Sequence, residues 1–426
     1  MAEFTEFPLN LNETEAKANE TGKQSEKAGK NGRLTGLVKL LIDATRRGRI
    51  DLTFLLMILL LTAVGLVMLL SASFASAYYE TLQEKEVAQP TLYFIKQLEF
   101  AALGIAVMLI VSLIPMQFYK KLSGLALVLS LALLMGVLVR GLGENGATRW
   151  IRIGPIRFQP SELAKAAMII CFAKWTANLG PKMRTFRLGF LPFMLTIVVF
   201  ALLLLCEPHL SATLIIFGVG LIMMWVGGTR WYYIAGILFL AYLGYLFVQN
   251  NRELLLTITN KFEYIYTRLD AWLYTYDREK VTRDQSWQVI QSLNAVGSGG
   301  LLGLGFGQSR QKYLYLPEEH NDYIFAIICE ELGFVGATLI LLLFAILIIR
   351  GYWLALHCKD IFTRMMVVGM ITLLAVQVFL NVAVVTNSLP ATGISLPFFS
   401  YGGTALVVQM AEMGIVLSAS RDIPDK

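Results

Sequence analysis

Charge is scarce in this chain. Aspartate, glutamate, lysine and arginine make up 15% of its 426 residues, against 56% hydrophobic. An ordinary water-soluble domain carries about 25% charged residues, so the main body is not one. Cysteine is scarcer still. Cys171, Cys206, Cys329 and Cys358 lie in or beside apolar runs with no CxxC spacing, which excludes a disulfide framework and argues for packing roles. Histidine is limited to His209, His320 and His357, too few and too scattered for zinc. The glycine series Gly297, Gly299, Gly300, Gly303, Gly305 and Gly307 lacks the GK[ST] ending of a phosphate-binding loop. No strand–helix unit surrounds it, so no nucleotide is expected; close backbone approach in a re-entrant segment packed in protein fits better. The net charge of +6 sits mainly in loops, as orientation signals do, and requires no nucleic acid partner.

Long hydrophobic runs are abundant. Ten segments, near 52–74, 97–116, 122–140, 160–178, 189–206, 209–227, 231–249, 323–350, 363–386 and 402–420, read as spans, each close to the length of about 20 residues that crosses a hydrocarbon core. A membrane β-barrel would show alternating ten-residue segments instead. The fold class is an all-α polytopic membrane protein with ten transmembrane helices and a large extracytoplasmic loop between spans seven and eight. Residues 1–45 read as a disordered cytoplasmic tail without the apolar core of a secretory signal, 46–421 as the membrane domain containing the loop 250–322, and 422–426 as a short cytoplasmic tail. Lys39, Arg46, Arg47 and Arg49 precede the first span, so the positive-inside rule predicts both termini in the cytoplasm.

Four features break the pattern. The loop at 140–160 falls outside by alternation yet carries Arg140, Arg149, Arg152 and Arg157; an anionic ligand on the outer face, or lipid headgroups, would account for it. Glu162 and Lys165 share a helix face, and Glu207, Glu330 and Glu331 also lie in or beside spans. Such charges are costly in lipid, so they pair with one another or line a polar cavity. The stretch 259–333 crowds acids, bases, glycines and aromatics between two spans, which reads as a folded reaction site rather than disorder. The Pro390–Gly403 stretch is too rich in proline and glycine for a continuous helix.

Four blocks in order carry a family resemblance: GATRWIRIGPIRFQPSELAK at 146–165, EPHLSAT at 207–213, QVIQSLNAVGSGGLLGLGFGQSRQKYLYLPEEHNDYIFAIICEELGFVG at 288–336, and LPATGISLPFFSYGGTAL at 389–406. The chain resembles the SEDS family, that of FtsW, RodA and SpoVE, and QSRQK at 308–312 is closer to the FtsW and SpoVE branch. The resemblance implies a peptidoglycan glycosyltransferase that polymerises lipid II into β-1,4 glycan strands by inverting displacement of polyprenyl pyrophosphate. It implies the bacterial cytoplasmic membrane at the division septum, a class B penicillin-binding protein as transpeptidase partner, and other divisome membrane proteins nearby. A lipid II flippase, a RodA-like elongation polymerase and a scaffold for the transpeptidase are the competing readings.

Inversion requires a base for the acceptor hydroxyl, a task suited to a carboxylate. Alignment of the family's loop pattern from Arg268 makes Asp277 the counterpart of its catalytic aspartate, one residue short, with Asp284 as backup and Glu279 and Asp270 behind it. Trp272, Tyr274 and Tyr276 would partly desolvate Asp277. The leaving pyrophosphate needs cations, for which Arg149, Arg152, Arg310 and Lys312 are candidates, with Trp150 meeting sugar or the membrane interface. Lys165, Gln288, Gln291 and Ser292 fall inside the matched blocks and join the implied substrate-binding set, as do Glu318, His320 and Asp322. Mg²⁺ or Mn²⁺ would offset the leaving-group charge, with Glu318 and Asp322 as candidate ligands. His209 stands where the family's EPDLGT block has aspartate.

Overall fold

The computed structural model describes residues 48–144, 147–153, 156–251, 263–277 and 281–423; the N-terminal tail, 252–262, Arg278, Glu279 and Lys280 are among those outside the described residues. Helices α1 (Leu52–Lys85), α2 (Leu92–Leu113) and α3 (Met116–Arg140) precede three short strands, β1 (Leu142–Glu144), β2 (Ala147–Ile153) and β3 (Ile156–Phe158). Then come α4 (Pro160–Leu179), α5 (Leu191–Cys206), α6 (Leu210–Val226) and α7 (Trp231–Asn250). The long loop supplies α8 (Glu263–Leu273) and α9 (Arg283–Ser298), and α10 (Ile324–His357), α11 (Ile361–Val385) and α12 (Gly403–Ser420) complete the bundle.

Among the described residues, eight helices are long and apolar enough to cross a membrane. The other two predicted spans are also helices. Charged residues Glu162, Lys165 and Lys174 interrupt the apolar character of α4, and α6 is 17 residues long. Proline at the first position of α4 costs no hydrogen bond there. At the far end of the bundle Asp51 caps α1 by accepting from the Phe54 N–H at 2.8 Å and receives a two-pronged grip from Arg350, at 3.2 and 2.5 Å. The densest packing surrounds α11, whose Met366, Met370, Ile371 and Leu374 are buried with Met168, Ile169 and Phe172 of α4. By contrast α7 buries no residue at all.

The all-α expectation needs one correction. Residues 142–158 form a three-stranded antiparallel sheet in the order β1–β2–β3, with Arg152 paired to Arg157 and Ile151 to Phe158. Thr148, Trp150, Ile151 and Ile153 supply the β-branched and aromatic content that strands favour. Successive side chains on a strand point to opposite faces, so Arg149 and Trp150 project to opposite sides of the sheet.

The glycine-rich segment docks into a break in α10. Gly333 has φ +67°, which interrupts the helix, and the segment supplies the missing hydrogen bonds. Leu304 and Gly305 N–H donate to the carbonyls of Glu330 and Glu331 at 2.9 and 3.0 Å, while Phe334 and Val335 N–H donate to Gly300 and Leu301 at 2.9 and 3.1 Å. A Cβ on Gly303 would sit 2.1 Å from the Glu331 carbonyl oxygen, at φ +81°. Gly303→Ala should therefore cost upwards of about 1–3 kcal/mol of backbone strain, read as a lowered unfolding midpoint in detergent; an unchanged midpoint would show that the docking is dispensable.

Candidate active site

Where the loop meets the bundle, four segments converge. Arg149 of β2 reaches the α5–α6 turn and donates from Nη2 to Pro208 O at 2.5 Å. Arg268 of α8 donates from Nη1 to Ala391 O at 2.6 Å, and Trp272 donates its indole N–H to Asn387 O at 2.9 Å. The buried amide of Asn381 donates to Asp322 O at 2.8 Å and Ile394 O at 2.6 Å, tying the irregular 386–402 segment to the start of α10. Asp322 presents its carboxylate at Gly393, where an added Cβ would lie 3.0 Å from Oδ2.

Burial, with Glu318 adding to it, pushes the Asp322 carboxyl up to about 6, against the pull of Arg268, Arg149 and His320. Burial also pushes Glu207 up to about 8 despite Arg149, so near neutral pH this carboxyl is largely protonated and offers Arg149 no full counter-charge. Arg149 Nε is buried and has no hydrogen-bond partner. His209 Nδ1 accepts the Ala212 N–H at 3.1 Å, and its Nε2 lies 2.7 Å from the Gln159 amide nitrogen. Arg149 and Arg268 thus both lie within electrostatic range of the Asp322 carboxyl.

The other predicted residues fall in different places. Lys312 is buried rather than presented to a ligand. Its three N–H donors go to Glu331 Oε1 at 2.9 Å, Ser71 Oγ at 3.0 Å and Gly307 O at 2.8 Å, which is all an ammonium has. Lys165 is buried and paired with Glu162 at 2.8 Å. Ser292 donates to Val385 O at 2.8 Å and Gln288 to Pro317 O at 3.3 Å, which hold α9 in place, while Gln291 accepts from Asn294 within the helix at 3.1 Å. His320 is buried and stacked on Tyr93 at 4.7 Å. Glu318 accepts from Asn321 at 2.5 Å. Arg152 and Arg310 are exposed. Asp277 is half-buried in the turn after α8, while Asp284 is exposed in the first turn of α9. Of the aromatic residues expected near Asp277, Trp272 donates its indole N–H to Asn387 O and Tyr276 is 71% exposed.

Sequence reasoning used Arg268 only as an alignment anchor and passed over Asn381. The signal for Asn381 was present, since an amide inside the apolar run VFLNVAVV must find partners. Arg268 had no such mark, because its partner Ala391 lies 123 residues away.

Many apolar helices around a folded polar loop define a multi-pass membrane protein. Residues 51–423 match the FtsW/RodA/SpoVE family model, described as "Cell cycle protein". The chain belongs to that family. Stage V sporulation protein E of Bacillus subtilis (strain 168) is 38% identical over 380 residues, 88% of this chain and 98% of that protein. A probable peptidoglycan glycosyltransferase FtsW of Geobacter sulfurreducens (strain DL-1 / KN400) is 38% identical over 375 residues, 87% of this chain and 95% of that protein. These relatives agree with the reading of QSRQK. Among solved structures, a chain described under "Structural coordination of polymerization and crosslinking by a peptidoglycan synthase complex" superposes with TM-score 0.70 at 28% identity, covering 88% of this chain and 99% of that one. The rod shape determining protein RodA of Thermus thermophilus gives 0.62 at 26% identity, covering 88% and 98%.

Proposed function

We propose that this protein is a peptidoglycan glycosyltransferase that polymerises lipid II, working in the cytoplasmic membrane with ten spans, both termini inside and the 250–322 loop outside. The observation that carries the reading is Arg149: a half-buried guanidinium whose buried Nε has no hydrogen-bond partner, beside Glu207, whose carboxyl burial pushes up to about 8. With Arg268 it would take the pyrophosphate of the donor, and Asp277, on the turn that ends the helix carrying Arg268, would remove the proton of the acceptor hydroxyl. A class B penicillin-binding protein is the partner this reading requires, supported by the description of the synthase complex to which the chain is similar; the septum and other divisome proteins follow from likeness to FtsW. Purified protein given labelled lipid II should make glycan chains. Translocation in liposomes without polymer would favour the flippase reading instead.

Arg149→Ala and Arg268→Ala should each raise the lipid II concentration for half-saturation, and Arg149→Lys should not restore the parental value, because an ammonium cannot reproduce a planar fork. Parental half-saturation and rate in both alanine variants would rule out the guanidinium pair.

A divalent ion fits the site in one way. Among the described residues no group of three or more His, Cys, Asp or Glu side chains could hold a metal. Glu318 and Asp322, the first of which raises the cost of ionising the second, are two carboxylates of the kind that hold Mg²⁺ together with substrate phosphates. Such an ion would offset charge on the leaving group. Excess EDTA should abolish polymerisation and added Mg²⁺ or Mn²⁺ should restore it; full activity in EDTA would remove the metal.

A further inference from the structure

One buried acid has no place in this scheme. Glu412 of α12 is 5% exposed and its Oε1 has no hydrogen-bond partner. It lies within electrostatic range of both Lys165 and Glu162 of α4, which are already paired at 2.8 Å. One ammonium therefore stands against two carboxylates inside an apolar bundle, a deficit of one positive charge.

The surrounding elements do not make it up. Helix α2 carries Lys96 and Glu99 in its first two turns; α11 carries Arg364, bonded at its own end to Cys358 O at 2.9 Å. Helix α3 carries Lys120, Lys121 and Arg140, all near its two ends, and β3 carries Arg157, which is exposed. On α10 Glu330 is held by Ser309, Glu331 by Lys312, and Arg350 by Asp51, while His357 is in the last turn. A second orphaned oxygen lies nearby. A cavity of about 40 Å³ is lined by Glu162, by Gln409 one turn before Glu412, and by Gln377. Gln377 is 7% exposed and its Oε1 also has no partner. Oxygen acceptors without donors, beside an unbalanced carboxylate, are what a small cation requires.

We propose that Glu412, with Glu162 and the cavity carbonyl of Gln377, binds one monovalent cation inside the helix bundle, either a proton on the Glu412 carboxyl or an alkali-metal ion. The bound charge bears on the outer site through a relay of fields, since Lys165 is also in range of His209, and His209 in range of Arg149 and Arg268.

The test uses the full-length chain in nanodiscs of zwitterionic lipid. Unfolding is followed from about pH 5 to about pH 9 in sodium chloride and, at equal ionic strength, in choline chloride, for the parent, Glu412→Gln and, should that fold poorly, Glu412→Leu. If the cation is a proton, the folded chain holds one that the unfolded chain has released. Stability then falls as pH rises, by up to about tenfold in the folding constant per pH unit, and the infrared carbonyl band of a buried carboxylic acid is present in the parent and missing from Glu412→Gln. If it is an alkali ion, the parent is stabilised by sodium over choline and the variants are not. Either dependence, lost in the variants, supports the site. No dependence in the parent, or the same dependence in the variants, overturns it. Because the readout is folding, its failure would leave the glycan-polymerase reading untouched.

Discussion

Asp277→Asn should lose about 2–4 decades of polymerisation rate, or about 3–5 kcal/mol of barrier, while still folding and still binding its transpeptidase. The amide keeps the size of the side chain and loses the basic oxygen. Folding should survive because the turn is held by backbone bonds that the substitution retains: Asp277 N–H to Tyr274 O at 2.9 Å, and Val281 N–H to Asp277 O at 3.1 Å. Asp284→Asn should be mild, since Asp284 is exposed in the first turn of α9, where its charge favours the helix dipole and little else. Initial rates with labelled lipid II decide the matter. An active Asp277→Asn beside a dead Asp284→Asn would move the base to Asp284. Activity in both would end the carboxylate-base mechanism for this loop.

Lys312→Ala should act on stability rather than on donor binding. Its removal strands the fully buried Glu331 carboxylate, which keeps only the Ser71 hydroxyl and the Ser309 N–H. Breaking a buried pair from one side costs about 3–5 kcal/mol, enough to depress the yield of folded protein and its unfolding midpoint. The second substitution Glu331→Gln, made in the Lys312→Ala background, should recover part of the loss because it removes the unpaired charge. The surviving folded fraction should show near-parental half-saturation for lipid II. Normal stability with weakened donor use would return Lys312 to the substrate.

How far the sequence was readable depends on the range of the interaction. Apolar runs are local, and each of the ten expected spans is a helix. The pairing of Glu162 with Lys165 is also local, an i,i+3 contact on one helix face. The sheet at 142–158 was hidden because arginine and glycine mask the alternation of its strands. Lys312 looked like an outer cation because nothing near it in sequence shows that Ser71, 241 residues away, lies against it. Arg268 depends in the same way on Ala391. The family blocks located the chemistry, whereas the division of their charged residues into anion-facing and self-paired groups is a property of tertiary packing.

The break at Gly333 has a mechanical consequence. A helix that takes four of its hydrogen bonds from another stretch of chain cannot shift without that stretch. Here the donors and acceptors on the far side are Gly300, Leu301, Leu304 and Gly305, and the same stretch leads into Ser309 and Lys312, which grip Glu330 and Glu331 side chains. Loop and span are therefore one lever. A load applied to the loop is delivered to the interior of α10, through Ser71 to α1, and movement of α10 displaces the loop in return.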